Sequence, residues 1–459
     1  MRRLLAGVVL LGIAAAAVYG YTVARRERLY GRYLADGDAA MARSDTSAAI
    51  EDFSGAIALK SDGMAPYLKR GEAYRRRGEY DAALRDLARA VDLDPTATRP
   101  REALGDADLA LQRYAQAATE YREYLKLDPP APRVLYKLAF ARYHDARLPE
   151  AIDALQKAIA IDDRLPEAYY LLGLCQRDAQ HTDAARRALE QSIALQPTLL
   201  HAREELADLY GSIGRVDDRL IELEAIDALD PGPSRDVALG LAYARAGETD
   251  RAVLTLGRTA TRYPAYAYTY VALGRVWLEI AQRRTDRVAL SKALGALEGA
   301  VGSDNSSEAL MLFGRGLLMT GDAESAERML QDATEKSPID PLAFYYLAEA
   351  AERLGHLAAA RDALVDYDAL EGGSANAVRI ADLSLKLGDF YGAADGFLRA
   401  AAAGKGDAVL LVRAADAEWR AGEHDAARAT LDKALATDPR NAVGLALKRG
   451  LDRQSARSR

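Results

Sequence analysis

Five histidines and one cysteine are the side chains of this 459-residue chain best suited to acid–base, nucleophilic or metal chemistry. His144, His181, His201, His356 and His424 stand at no spacing that would let two of them share a metal ion. Cys175 is alone, which excludes a disulfide within the chain and any cysteine-based metal knuckle. Its apolar helical setting predicts a buried, inert thiol. No glycine-rich loop could cradle a phosphate, and no nucleophile elbow is present. Acidic residues are plentiful but fall beside Arg and Lys on helical faces, as ordinary surface charge does. These residues predict no enzyme, no metal and no cofactor. Such a chain acts through its surface.

The elements that build that surface are written in a ruler. An Ala followed four residues later by Leu, Phe or Tyr recurs at Ala49/Phe53, Ala83/Leu87, Ala117/Tyr121, Ala151/Leu155 and Ala185/Leu189. After one exception, Arg219/Leu223, it resumes at Ala252/Leu256, Ala293/Leu297, Ala326/Leu330, Ala360/Leu364, Ala393/Phe397 and Ala427/Leu431. Successive steps are 33 or 34 residues, except one of 41 between Ala252 and Ala293. Small residues keep step twelve positions earlier, among them Gly37, Gly71, Gly105, Ala139, Gly173, Gly240 and Gly314. Only Gly274 falls out of register. Gly marks many turns, as at Gly78, Gly214 and Gly247, and Pro marks many unit ends, as at Pro95, Pro129 and Pro197. Each unit therefore reads as two helices, the first offering a small residue where the second crosses it closely. A fixed period in this range means a stacked array rather than one closed core.

The second unit carries Tyr67, Gly71, Tyr74, Gly78, Tyr80, Ala83, Leu87, Ala90 and Pro95 at spacings that resemble the tetratricopeptide repeat (TPR). The resemblance extends over about twelve units. It implies an all-α, right-handed superhelical solenoid and a family whose members bind proteins or peptides. Transferred to this chain, the family's inward-facing positions in the fourth and fifth units hold Tyr136, Phe140, Tyr143, His144, Tyr170, Leu174 and Arg177. These are the candidate partner-binding residues, able to receive apolar side chains of an extended peptide or a helix. Equivalent positions elsewhere hold Glu102, Asp106, Glu204 and Asp208, or single aromatics at Tyr268, Tyr345 and Trp419. The family's carboxylate-clamping mode needs Asn in the groove; Asn305, Asn376 and Asn441 are not placed for it.

Composition narrows the partners. A net charge of -7 and an isoelectric point near 5.5 argue against nucleic acid, which asks for a basic face. The expected partner is a protein or peptide, with no small-molecule substrate. The extra residues of the eighth unit, around Ala281–Val288 with Arg283, Arg284 and Arg287, predict a pair of lengthened helices rather than a docking loop.

At the N-terminus, Arg2 and Arg3 precede an uncharged run from Leu4 to Ala24, closed by Arg25, Arg26 and Arg28. About twenty apolar residues suffice to span a bilayer. The run predicts one transmembrane helix within 1–29, ahead of a solenoid over 30–441 and a capping helix with basic tail over 442–459. Gly12, Ala16 and Gly20 form a small-residue stripe that would let a second membrane helix approach. The Ala- and Arg-rich composition suggests a bacterium. The expectation is thus a single-pass inner-membrane scaffold for protein assembly, its repeats in the periplasm, with the cytoplasmic side as the alternative because the basic residues on the two flanks nearly balance. Two alternatives share that layout. One is a regulator of lipopolysaccharide or polysaccharide export, which the chain resembles in its N-terminal span, although it lacks that group's C-terminal cysteines. The other is a structural subunit of a larger membrane complex.

Overall fold

A computed structural model describes residues 2–303, 305–404 and 407–457, with side chains described from residue 10 to residue 453 within those ranges. Among the described residues the chain forms 25 helices and no strand. The first pairs are α1 (Arg2–Ala42) with α2 (Thr46–Leu59), α3 (Met64–Arg77) with α4 (Tyr80–Leu93), and α5 (Thr98–Ala110) with α6 (Tyr114–Leu127). Next come α7 (Pro132–His144) with α8 (Leu148–Ile161), α9 (Pro166–Asp178) with α10 (Thr182–Leu195), and α11 (Leu200–Ser212) with α12 (Val216–Leu229). The series continues with α13 (Pro233–Arg245) and α14 (Thr249–Arg262), α15 (Tyr268–Arg284) and α16 (Arg287–Ser303), and α17 (Ser307–Thr320) and α18 (Ala323–Thr334). It ends with α19 (Leu342–Leu354) and α20 (Leu357–Glu371), α21 (Ala377–Leu387) and α22 (Phe390–Ala403), α23 (Ala408–Arg420) and α24 (His424–Thr437), and finally α25 (Ala442–Arg457).

The two periodic series explain the pairing. Ala49, Ala83, Ala117, Ala151 and Ala185 are fully buried, and so are their partners Phe53, Leu87, Tyr121 and Leu155, with Leu189 almost so. Burying one such large side chain contributes about 2 kcal/mol. The small residue makes room for it: a Cβ added to Gly71 would stand 2.7 Å from Leu87 Cγ, and one on Gly105 would stand 2.7 Å from a Tyr121 ring carbon. Where the first helix offers Gly, as at Gly37, Gly71, Gly105, Gly173, Gly240, Gly274 and Gly314, the large residue of the second helix thus seats against bare backbone.

The turn inside each pair is built one way. The amide just past the left-handed residue donates back to a carbonyl of the first helix: Glu79 N–H to Tyr74 (2.9 Å), Arg113 to Asp108 (2.8 Å), Arg147 to Arg142 (2.9 Å), His181 to Gln176 (2.8 Å). This is the bond of a Schellman motif, and it demands positive φ at the residue between. Gly78 supplies it at φ 83°, whereas Ala146 is held at 57° and Gln112 at 58°. That conformation costs a side chain with a Cβ about 1–2 kcal/mol. Ala146→Gly is therefore expected to raise stability by roughly 0.5–1 kcal/mol. Urea midpoints of the two proteins check it, and a lower midpoint for the variant would refute strain at this turn.

The chain divides into two compact units, Met1–Glu222 and Leu223–Arg459. The boundary falls inside α12, the helix that carries Arg219 where the other pairs carry Ala. In the first unit the Arg219 guanidinium lies where a Cβ on Gly211 would meet it at 3.2 Å, and its buried Nε has no hydrogen-bond partner. In the second unit the 41-residue step is absorbed by α15 and α16, each 17 residues long, joined through left-handed Thr285. The insertion is a lengthened helix pair, as the sequence predicts. At the C-terminal end α25 buries Leu451 against Val412, Leu431 and Ala434.

The N-terminal expectation needs correction. Arg2–Ala42 is one helix, not a separate span followed by an array. Its continuation belongs to the first pair: Arg26 donates through Nε to the Leu59 carbonyl at 2.6 Å, Lys60 pairs with Glu27 at 3.4 Å, and Lys60 also lies over the Tyr30 ring. No helix among the described residues is long and apolar enough to cross a membrane. The described side chains begin at Leu10. The part of the run from Leu4 to Val9 lies outside them. The transmembrane helix, and with it the single-pass inner-membrane placement with periplasmic repeats, is withdrawn on this finding. Gly12, Ala16 and Gly20 sit exposed on α1, and a Cβ added to Gly12 or Gly20 would meet nothing within 4 Å.

Candidate binding site

α7 and α9 begin with Pro132 and Pro166 in their first turns, where the missing amide is no loss. Each helix then divides its residues between two neighbours. On α7, Leu135, Ala139 and Arg142 turn toward the second helices, while Tyr136, Phe140 and Tyr143 share another face at i, i+4 and i+7. Tyr136, Phe140, Tyr143 and Leu174 pack half-buried against a core of Ala139, Leu155, Leu171 and Cys175. Tyr170 packs against the next core, with Leu189, Leu206 and Tyr210. Six of the seven candidates are therefore half-buried, with one edge on the core and the other open. Tyr suits that position because its ring is apolar and its hydroxyl tolerates water.

The phenols stay neutral. Burial, then the Glu167 carboxylate, raises the pKa of Tyr136, and burial followed by Glu205 raises that of Tyr170. Tyr143 is pushed up to about 12, first by burial and then by its hydrogen bond to Asp178, whose Oδ2 accepts from the phenol at 2.8 Å. Neutral phenols offer an apolar face and a donor together.

Two candidates stand apart from the rest. His144 is exposed and stacks on Tyr114, the first residue of α6, with ring centroids 4.9 Å apart and planes 18° apart. Phe140 and Tyr143 pack on the other sides of its ring at 4.5 and 5.3 Å. Arg177 is no free cation, since its Nε donates to Asp178 at 3.0 Å and its Nη1 to Glu205. Cys175 is fully buried and its thiol is pushed up to about 12 by burial.

Two features escaped sequence reasoning. Tyr114 completes the aromatic stack, and its only signal is that Tyr80 opens the preceding second helix in the same way. The second is a charged knot beside Tyr136. Lys137 Nζ donates to Glu102 at 2.7 Å and to Asp106 at 2.8 Å, and Asp106 accepts from the fully buried Tyr121 hydroxyl at 2.7 Å. One net negative charge remains there. Across the strip, Asp208 is exposed on α11. The face is thus an aromatic strip with acidic flanks. His181, His356 and His424 do lie at the turns, where the first two hydrogen-bond Gln176 and Glu327 and the third packs on Trp419. Among the described residues no group of three or more His, Cys, Asp or Glu could hold a metal ion.

Tetratricopeptide-repeat models match residues 102–167 and 311–373, residues 65–97, and residues 167–198 and 237–266. Among solved structures, MamA is 26% identical, with 35% of this chain and 94% of that one covered and a TM-score of 0.34. Pseudomonas aeruginosa pilF is 24% identical, over 44% of this chain and 92% of that one, at TM-score 0.36. YrrB, described as a TPR protein with an unusual peptide-binding site, is 19% identical over 39% and 92%, at TM-score 0.35. Among curated proteins none matches. The repeat models fall on the same helix pairs that the Ala and Gly series marks out, and the chain is a tetratricopeptide-repeat protein.

Proposed function

We propose that this protein is an interaction scaffold that holds a segment of a partner protein on the first helices of its fourth and fifth pairs. TPR folds are protein–protein interaction scaffolds and are generally non-catalytic. The observation that carries the finer reading is the strip of Tyr136, Phe140, Tyr170 and Leu174, half-buried on consecutive first helices and flanked by acid. Aromatic anchors on a rigid support give much contact area for little lost side-chain freedom. The segment that fits has two apolar side chains with Lys or Arg beside them, the cations meeting Glu102, Asp106 and Asp208. Arg177, held by Asp178 and Glu205, fixes the floor instead of gripping the ligand.

Peptides panned from a displayed library against the chain are expected to carry that apolar-basic pattern. Tyr136→Ala with Tyr170→Ala should leave the helical circular-dichroism spectrum intact. At about 2 kcal/mol for each anchor, the pair should weaken peptide binding roughly a thousandfold. Peptides that bind the double variant as well as the parent would remove this face from consideration.

A further inference from the structure

A second site lies on the other side of α7. A cavity of about 480 Å³ opens between α6, α7 and α8, with Leu125, Leu135, Leu138 and Ala154 as its apolar wall. Arg142 also lines it, and is only 9% exposed. Burial of a guanidinium asks for a full set of acceptors. Arg142 has one, Asp145 Oδ2, at 3.5 Å from Nη1, the outer limit of a hydrogen bond. Asp145 is moreover shared with Arg147, which approaches it at 3.0 Å. Among the described residues Nε and Nη2 of Arg142 meet no acceptor.

The neighbouring pairs make the contrast. One repeat on, Gln176 is buried at the same place and holds His181 at 2.9 Å. One further, Tyr210 is buried and donates to Glu190 at 2.8 Å. Only at Arg142, of these three, does the position carry a cation, and there its donors face a cavity. The surrounding charges leave room for one anion. Arg122, Arg142, Arg147 and Lys157 face Asp145, Glu150 and Asp153, four cations against three carboxylates.

We infer that this cavity binds a small aliphatic monocarboxylate, its carboxylate forked on Arg142 and its hydrocarbon laid along Leu125, Leu135 and Leu138. A planar guanidinium pairs a carboxylate through two parallel bonds, and buried Leu135 with half-buried Leu125 and Leu138 removes the tail from water. The site is separate from the aromatic strip and stands or falls without it.

Hexanoate, hexanamide and acetate, each titrated into the full chain and followed by ligand-observed NMR, test the assignment. Hexanoate is expected to bind with a Kd on the order of 1 mM, and the amide and acetate each at least roughly tenfold more weakly. Arg142→Gln puts in the side chain that the next pair already buries at Gln176, and should erase the preference for hexanoate over hexanamide. Leu138→Glu, which keeps the arginine and supplies a tethered carboxylate, should abolish hexanoate binding while the protein stays folded. Equal binding of acid and amide to the parent, or undiminished hexanoate binding in either variant, overturns the inference.

Discussion

Gly274→Val is expected to unseat the eighth helix pair and cost about 3 kcal/mol or more, the upper end of what overpacking a core brings. A Cβ at this position would stand 2.3 Å from Leu297 Cγ and 2.5 Å from its Cδ2, well inside contact distance. Leu297 has nowhere to go. It is fully buried among Leu278, Ala293 and Ala300, and α15 and α16 close on one another through this contact. The first branch of valine alone forces the helices apart, and two more methyls add to it. In an array each pair leans only on its neighbours, so the loss should first appear locally. Amide exchange in α15 and α16 is expected to quicken by orders of magnitude, with the urea midpoint of the second unit lowered. Protection equal to the parent would mean that the small-residue series has no packing role. Gly274→Ala with Leu297→Ala refines the test, because trimming the leucine makes room for the new methyl. The double variant should lose less than the two singles together.

That effect is legible in the sequence because the Ala, the large residue four further on and the small residue upstream all answer to one local contact, repeated in pair after pair. Burial of Phe53, Leu155 and Leu330 with Gly37, Ala139 and Gly314 in step is that contact made visible. The N-terminal helix misleads for the opposite reason. An apolar count from Leu4 to Ala24 stops at Ala24, whereas the helix runs on to Ala42 and brings Arg26 to the Leu59 carbonyl. No local pattern announces a bond across 33 residues. The candidate strip is legible as far as its positions go, since Tyr136 and Tyr170 stand one repeat apart. Its charges are not. Arg177 looks free in the sequence and is tied to two carboxylates, while Lys137 joins the strip from a position the family pattern leaves unmarked, and Tyr114, one repeat on from Tyr80, joins it from a second helix outside the inward-facing positions. Arg142 escapes notice because an arginine on a helix ordinarily reads as surface.

The other large effect expected is at Asp86. It is 7% exposed and receives Arg70 by two bonds, Nε at 2.6 Å and Nη2 at 2.8 Å. Arg70 also donates to Ser54 at 3.0 Å and lies near the rings of Tyr67 and Tyr74, so one guanidinium joins α2, α3 and α4. The bond to Asp86 is the leading cause that raises the Arg70 pKa, so this cation cannot shed its charge when the partner is removed. Asp86→Ala should therefore leave a largely buried cation unpaired. The expected cost is about 3 kcal/mol, the lower end for a broken buried pair because the guanidinium retains some access to water. The pair itself is a different matter. At the same two positions the fourth helix pair carries Leu138 with Ala154, and the fifth carries Leu172 with Ala188. The framework thus accepts an apolar couple where the second pair has an ionic one. Arg70→Leu with Asp86→Ala copies it, and should recover more than half of the stability that Asp86→Ala loses. Denaturation of the parent, single and double variants decides between the two views. Recovery means that Asp86 is retained to neutralise Arg70 rather than to strengthen the stack, whereas a double variant as weak as the single would show that the ionic bond itself holds these three helices together.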